Sequence, residues 1–121
     1  MSRDPKKLDV FHRAHHLALD VYRLTEVLPH AERYGLSAQL RRAAASVPTN
    51  IVEGAIRSSR REYQRFIDMA LASAAEVQYL LDLAVDLGFL GTETAAGCRD
   101  CALRVVRELQ NLLKAISRFP A

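Results

Sequence analysis

The sequence predicts an all-α fold: an antiparallel up-down-up-down four-helix bundle whose second helix is kinked at Pro48. Three observations predict it. Apolar residues recur every three or four positions in four successive stretches. Short breaks marked by Pro29, Ser58-Ser59 and Gly88 part those stretches. No stretch alternates as a half-buried strand does, and there is no internal repeat or low-complexity tract.

Residues 1 to 7 read as a mobile polar lead, and 8 to 121 as one domain. The first helix carries Leu8, Phe11, Ala14, His15, Ala18, Val21, Tyr22, Thr25 and Leu28, and Pro29 stops it. The second buries Leu36, Leu40, Ala43, Val47, Ile51 and Gly54 on one stripe. Pro48 lies inside it, removes a backbone donor and crowds the Ala44 carbonyl, at about 3 kcal/mol in a helix interior. Both faces keep phase across the proline, so one bent helix is expected rather than two. Ser46, Thr49 and Asn50 are the side chains at hand for the freed Ala44 carbonyl.

The third helix opens on a capping box, Ser59 with Glu62 three residues later, and closes at Gly88 as a C-cap. Its stripe is Tyr63, Phe66, Ile67, Ala70, Leu71, Ala74, Val77, Leu81, Ala84 and Val85. Phe89 and Leu90 tuck the following turn. Thr92 or Thr94 is expected to cap the fourth helix, whose stripe runs from Ala95 and Cys98 through Val105 to Ile116, with Pro120 as its end.

Composition narrows the function classes. Half of the 121 residues are hydrophobic, enough for a core. No apolar run reaches the roughly 18 residues of a membrane span, and the charged first seven residues lead into no signal-type apolar core, so a cytoplasmic protein is expected. Two cysteines do not make a disulfide scaffold. The net charge of +3 is unevenly spread. Acids and bases balance in residues 1 to 32 and acids lead slightly in 66 to 121. Residues 33 to 65 carry Arg33, Arg41, Arg42, Arg57, Arg60, Arg61 and Arg65 against only Glu53 and Glu62.

Several constellations invite a chemical reading. Cys98 and Cys101 form a C-x-x-C, but without a βαβ context or a second pair they read as small core or boundary residues. His12, His15 and His16 have metal-ligand spacing, yet no motif on another helix completes a site; His15 reads as flanking the core and the other two as surface. Glu76 is followed by Tyr79 rather than by the histidine of a di-iron bundle. No nucleophile, base and orienter fall together, so neither an enzyme nor a cofactor or metal is expected.

Two features remain. Arg57, Arg60, Arg61 and Arg65 straddle a turn between helices, where arginines and backbone N–H groups suit phosphate, and Tyr63 among them suits stacking on a base. The bland reading is a solvated basic turn with Arg42 or Arg57 paired to Glu53. The second feature is a polar line on the second helix: Gln39, Arg42, Ser46, Asn50, Glu53 and Arg57. It reads first as buried polar groups satisfied across the bundle or a subunit interface, with Ser73 and Glu76 as partners. Ala45, Val52 and Ile56 beside it form a second apolar strip that a monomer does not need.

The run Glu32-Arg33-Tyr34-Gly35-Leu36, then Gln39-Leu40-Arg41-Arg42-Ala43, then Ser46-Val47-Pro48-Thr49-Asn50-Ile51-Val52-Glu53-Gly54 with Arg57, resembles the four-helix bundle proteins encoded in 23S rRNA intervening sequences. The likeness continues in Glu62-Tyr63, Phe66, Ala70, Ser73 and Glu76, includes Phe11, Ala14 and Tyr22, and covers residues 8 to 116. Ala72 departs from it, where the family usually has glycine before the serine. The resemblance implies a small bacterial cytosolic protein that assembles as a homopentamer, and the second apolar strip of Ala45, Val52 and Ile56 agrees with such an interface. It also implies kinship with accessory proteins of diversity-generating retroelements, which bind RNA and a reverse transcriptase through a basic barrel. The expected function is a non-enzymatic RNA-binding adaptor using Arg41, Arg42, Arg57, Arg60, Arg61, Arg65 and Tyr63. The alternative is a protein-interaction scaffold using Ser46, Asn50, Glu53 and Arg57.

Overall fold

A computed structural model describes residues 3 to 118. Four helices account for most of them: α1 (Asp9–Thr25), α2 (Leu36–Ala55), α3 (Arg60–Asp86) and α4 (Thr92–Ser117). Two short 3-10 turns, Pro5–Lys7 and His30–Glu32, precede α1 and α2. No strand occurs among the described residues. Each helix packs on its successor, and α4 packs back on α1, which closes a four-helix bundle.

One core runs through all four helices. Leu17, Leu40, Ile51, Tyr63, Ile67, Leu81, Leu109 and Ile116 are its largest fully buried side chains apart from the valines. Alanines Ala14, Ala44, Ala70, Ala74, Ala84, Ala95 and Ala102 are sealed off completely. Their small side chains let the helix backbones approach, and dense packing of this kind makes added volume costly. At Gly54 the fit is tight: a Cβ there would stand 2.9 Å from Phe66 Cβ and 3.2 Å from Tyr63 Cδ1.

The helix ends follow local chemistry, with corrections. The α1 helix stops at Thr25 rather than running on to Leu28. The Thr25 hydroxyl donates to the Tyr22 carbonyl, and Leu28 folds into a turn and buries its side chain. Gly35 stands at the start of α2, where the Glu32 carboxylate accepts from the Leu36 amide at 3.2 Å. The helix is continuous across Pro48. Neither Thr49 nor Asn50 takes up the Ala44 carbonyl: Thr49 donates to Ala45 and Asn50 to Ser46. Those are the carbonyls four residues back from each donor, the natural reach of a helical side chain.

The Ser59 hydroxyl accepts from the Glu62 amide at 3.0 Å, so α3 starts on the expected cap. It ends in a paired closure: the Phe89 amide reaches the Ala84 carbonyl, and the Gly88 amide the Val85 carbonyl. Gly88 supplies the φ of +79° that this closure needs. Neither Thr92 nor Thr94 caps α4; Gly91 holds that position and Thr92 is the first helical residue. Pro120, expected to end α4, lies outside the described residues; the helix ends at Ser117.

The lead is not a free tail from residue 3 onward. Asp4 caps the first turn by accepting from the Lys6 amide, and His12 Nε2 donates to the Lys6 carbonyl at 2.8 Å. Among the described residues no helix is long and apolar enough to cross a membrane.

Candidate nucleic-acid interface

The turn from α2 to α3 presents Arg57, Arg60, Arg61 and Arg65 at one end of the bundle, but these four do different work. Arg65 Nη2 lies 3.0 Å from Glu62 Oε2, one helical turn back. Arg60 Nη1 donates to the Ile116 carbonyl at 3.0 Å, and so holds the last turn of α4. Arg57 lies over the Phe66 ring at 4.5 Å, with Arg65 at 4.7 Å from the same ring. Arg57 and Arg61 are exposed, and neither joins an ion pair among the described residues.

Arg41 and Arg42 do not belong to that patch. They lie about four turns earlier on α2. Arg41 Nε donates to Thr25 Oγ1 at 2.8 Å, and its guanidinium covers the Tyr22 ring at 5.1 Å, which ties the end of α1 to the start of α2. Arg42 is exposed and lines a cleft of about 290 Å³ with Gln39, Ala43, Ser46, Ser73 and Glu76. The six arginines expected to bind together are therefore divided between two places.

The arginine end gains cations from elsewhere in the chain. Arg3 Nη1 donates to the Arg57 carbonyl at 2.7 Å, across 54 positions of sequence. That bond lays the lead, with Lys6 and Lys7, beside the α2–α3 turn. The Arg60 bond to Ile116 brings the end of α4, with Lys114 and Arg118, to the same place. Sequence reasoning missed this grouping, because residues 1 to 32 balance as a whole and nothing local marks where Arg3 docks.

Tyr63 is a correction. Its place among arginines predicts an exposed stacking side chain, but it is 1% exposed. It belongs to the apolar stripe of α3, and that stripe outranks its charged neighbours in sequence. The Arg3 guanidinium lies 5.0 Å from its ring centroid. Its hydroxyl is buried without a hydrogen-bond partner, and so is Arg60 Nε. Burial pushes the phenol pKa up, and the positive charge of Arg3 offsets part of that rise.

The polar line on α2 is tied into the bundle. Ser46 Oγ and Ser73 Oγ lie 2.9 Å apart, and buried Asn50 donates to both the carbonyl and the hydroxyl of Ser46. Glu53 joins neither Arg42 nor Arg57 in an ion pair among the described residues. Beside this line Ala45 is half-buried, while Val52 and Ile56 are 41% and 77% exposed.

The remaining constellations are structural in placement. Cys98 is buried, and its thiol is pushed up to about 12 by burial, with Asp20 and Cys101 adding to the rise. Cys101 Sγ lies 3.8 Å from the Arg13 carbonyl. Such thiols are poor nucleophiles at neutral pH. His15 is exposed together with His12 and His16, rather than flanking the core. Its ring stacks near Phe11 at 6.4 Å instead. No cluster of three or more metal-ligating side chains occurs among the described residues.

Comparison with known proteins agrees with this architecture. A solved protein of unknown function from the S23 ribosomal protein family of Bacteroides thetaiotaomicron superposes with a TM-score of 0.81. It is 22% identical, and the match covers 87% of this chain and 98% of the other, a likeness of fold. A comparison with curated proteins finds no match. The family model of the 23S rRNA-intervening sequence protein matches residues 6–113, and the chain belongs to that family.

Proposed function

We propose that this chain is a non-enzymatic, self-assembling bundle protein of the bacterial cytoplasm that binds RNA at the arginine end. The observation that carries the reading is the bond from Arg3 to the Arg57 carbonyl. It brings Arg3, Lys6 and Lys7 to the turn that carries Arg57 and Arg61, where the acids close in sequence are Asp4, Asp9, Glu53 and Glu62. A cationic surface of this kind neutralises phosphates, and its affinity falls steeply with salt. Arg57 and Arg61 are the two arginines available to phosphate, since Arg60 and Arg65 are engaged.

Assembly, as a homopentamer, is supported by the exposed apolar pair Val52 and Ile56 on the outer side of α2. A lone monomer gains nothing from leaving them wet. An up-down course of the helices belongs to the same reading. It is supported by contacts that join one helix's end to its neighbour's start, Thr25 with Arg41 and Ile116 with Arg60. A bend of α2 at Pro48 also belongs to it, because Pro48 withholds a backbone donor.

The test is an anisotropy titration of a structured RNA at several salt concentrations. Binding with a steep log–log salt slope is expected. Salt-independent binding, or none near physiological salt, overturns the reading. In that case the scaffold alternative stands, favoured by the cleft where Arg42 and Glu76 face solvent without pairing to each other. A protein partner with a matched charge pair would fill it.

A further inference from the structure

We propose that Tyr63 is a covered stacking platform for an unpaired nucleobase, and that the segment from Arg3 to Lys7 is its removable cover. The inference rests on the RNA-binding reading and deepens it. Tyr63 sits at the arginine end but is closed off, with the Arg3 guanidinium 5.0 Å from its ring centroid. At Arg3 the cover is held by this contact and by one hydrogen bond to the Arg57 carbonyl. Both are contacts of small net strength, since the guanidinium at a surface is well solvated when released.

Two polar atoms at this end are unsatisfied. The Tyr63 hydroxyl and Arg60 Nε are both buried with no protein partner. A buried polar atom without a partner is unfavourable, and an opening that admits water to the Tyr63 hydroxyl would offset part of the lost Arg3 contact. A phosphate also competes directly for the cover, because a guanidinium bonds a phosphate oxygen more strongly than a neutral carbonyl. An RNA backbone that engages Arg57 and Arg61 therefore draws Arg3 off the ring. A base of the same strand is then beside an aromatic face flanked by arginines, which is how unpaired bases are held.

The chain has no tryptophan and four tyrosines. Tyr22, Tyr34 and Tyr79 are exposed, so changing these three to phenylalanine makes Tyr63 the sole emitter without opening the core. In that background Arg3→Ala raises acrylamide quenching of Tyr63 by about twofold or more, with an unchanged helical circular dichroism spectrum. Adding a short oligoadenylate quenches Tyr63 emission, whereas a blunt RNA duplex of equal charge binds without quenching it. Unchanged acrylamide quenching in the Arg3→Ala protein overturns the cover. Oligoadenylate that binds by anisotropy but leaves Tyr63 emission unchanged overturns the platform alone. If neither RNA binds, the function and the platform fall together, and the acrylamide measurement still reports the cover by itself.

Discussion

The hydroxyls of Ser46 and Ser73 meet 2.9 Å apart and join α2 to α3 midway along their contact. Asn50 donates to Ser46 from one turn further on, so three polar side chains satisfy one another inside a single chain. The group is a small, partly buried network, and its members are worth more together than apart. Asn50→Ala removes the two bonds donated to Ser46, whose hydroxyl keeps only Ser73. It is expected to cost about 1–2 kcal/mol in urea unfolding while leaving the molar mass in light scattering unchanged. Loss of assembly with full subunit stability would instead put Asn50 at a subunit interface.

Gly54→Ala tests the tight contact between α2 and α3. Alanine is the better helix former by about 1 kcal/mol. The new methyl, however, meets the Phe66 Cβ at 2.9 Å, an atom fixed to its backbone. Overpacking of this kind costs about 1–3 kcal/mol, so a net destabilisation is expected by chemical unfolding. A stabilised protein would mean that α2 and α3 can part freely at this end.

The division of labour among the arginines predicts unequal effects on RNA binding. Arg57→Ala with Arg61→Ala removes the two exposed arginines of the turn that join no ion pair, and each lost phosphate contact lowers the salt slope by about 0.7–0.9. Arg41→Ala breaks the tie to Thr25 and Tyr22 and is expected to lower the melting temperature but keep the salt slope. Equal loss of slope in both variants would contradict the separation of the two regions.

Arg60 has a structural task as well as a charge. It bonds the Ile116 carbonyl in the last turn of α4, where carbonyls lack helical partners. Arg60→Ala is expected to speed hydrogen exchange in the last turn of α4 and to cost about 1 kcal/mol. Exchange rates there that match those of the unaltered protein would show the contact to be idle.

The thiol of Cys98 predicts a loss of stability in alkali. Its folded pKa of about 12 lies above the ordinary value of 9.0, so the unfolded chain releases the proton first. Stability is therefore complete below pH 9 and falls as pH rises from there toward 12, by up to about 1.4 kcal/mol per pH unit. Cys101 and Tyr63 are raised as well and add to the fall in the same direction. Cys98→Ala is expected to flatten the decline measured by urea unfolding at stepped pH. A decline of the same steepness would assign it to other groups.

Most of the fold was legible from the sequence, for reasons that act over one or two helical turns. The buried residues of α2 include the predicted stripe of Leu36, Leu40, Ala43, Val47, Ile51 and Gly54, because helical periodicity alone sets which side chains share a face. Ser59 and Gly88 ended helices as expected, since a cap is a bond between near neighbours. The arginine concentration between residues 33 and 65 was equally plain. What those arginines do was not. Arg41 found Thr25 and Arg60 found Ile116, and such partners are chosen by packing between helices distant in sequence. Tyr63 reads as an aromatic among cations until the close approach of α2 at Gly54 and the docking of Arg3 seal it in. The lead became part of the basic end only when residue 3 met residue 57. Periodicity and capping are local and belong to the sequence; the environment of each charge depends on which surfaces the bundle brings together, and the tertiary structure alone decides that.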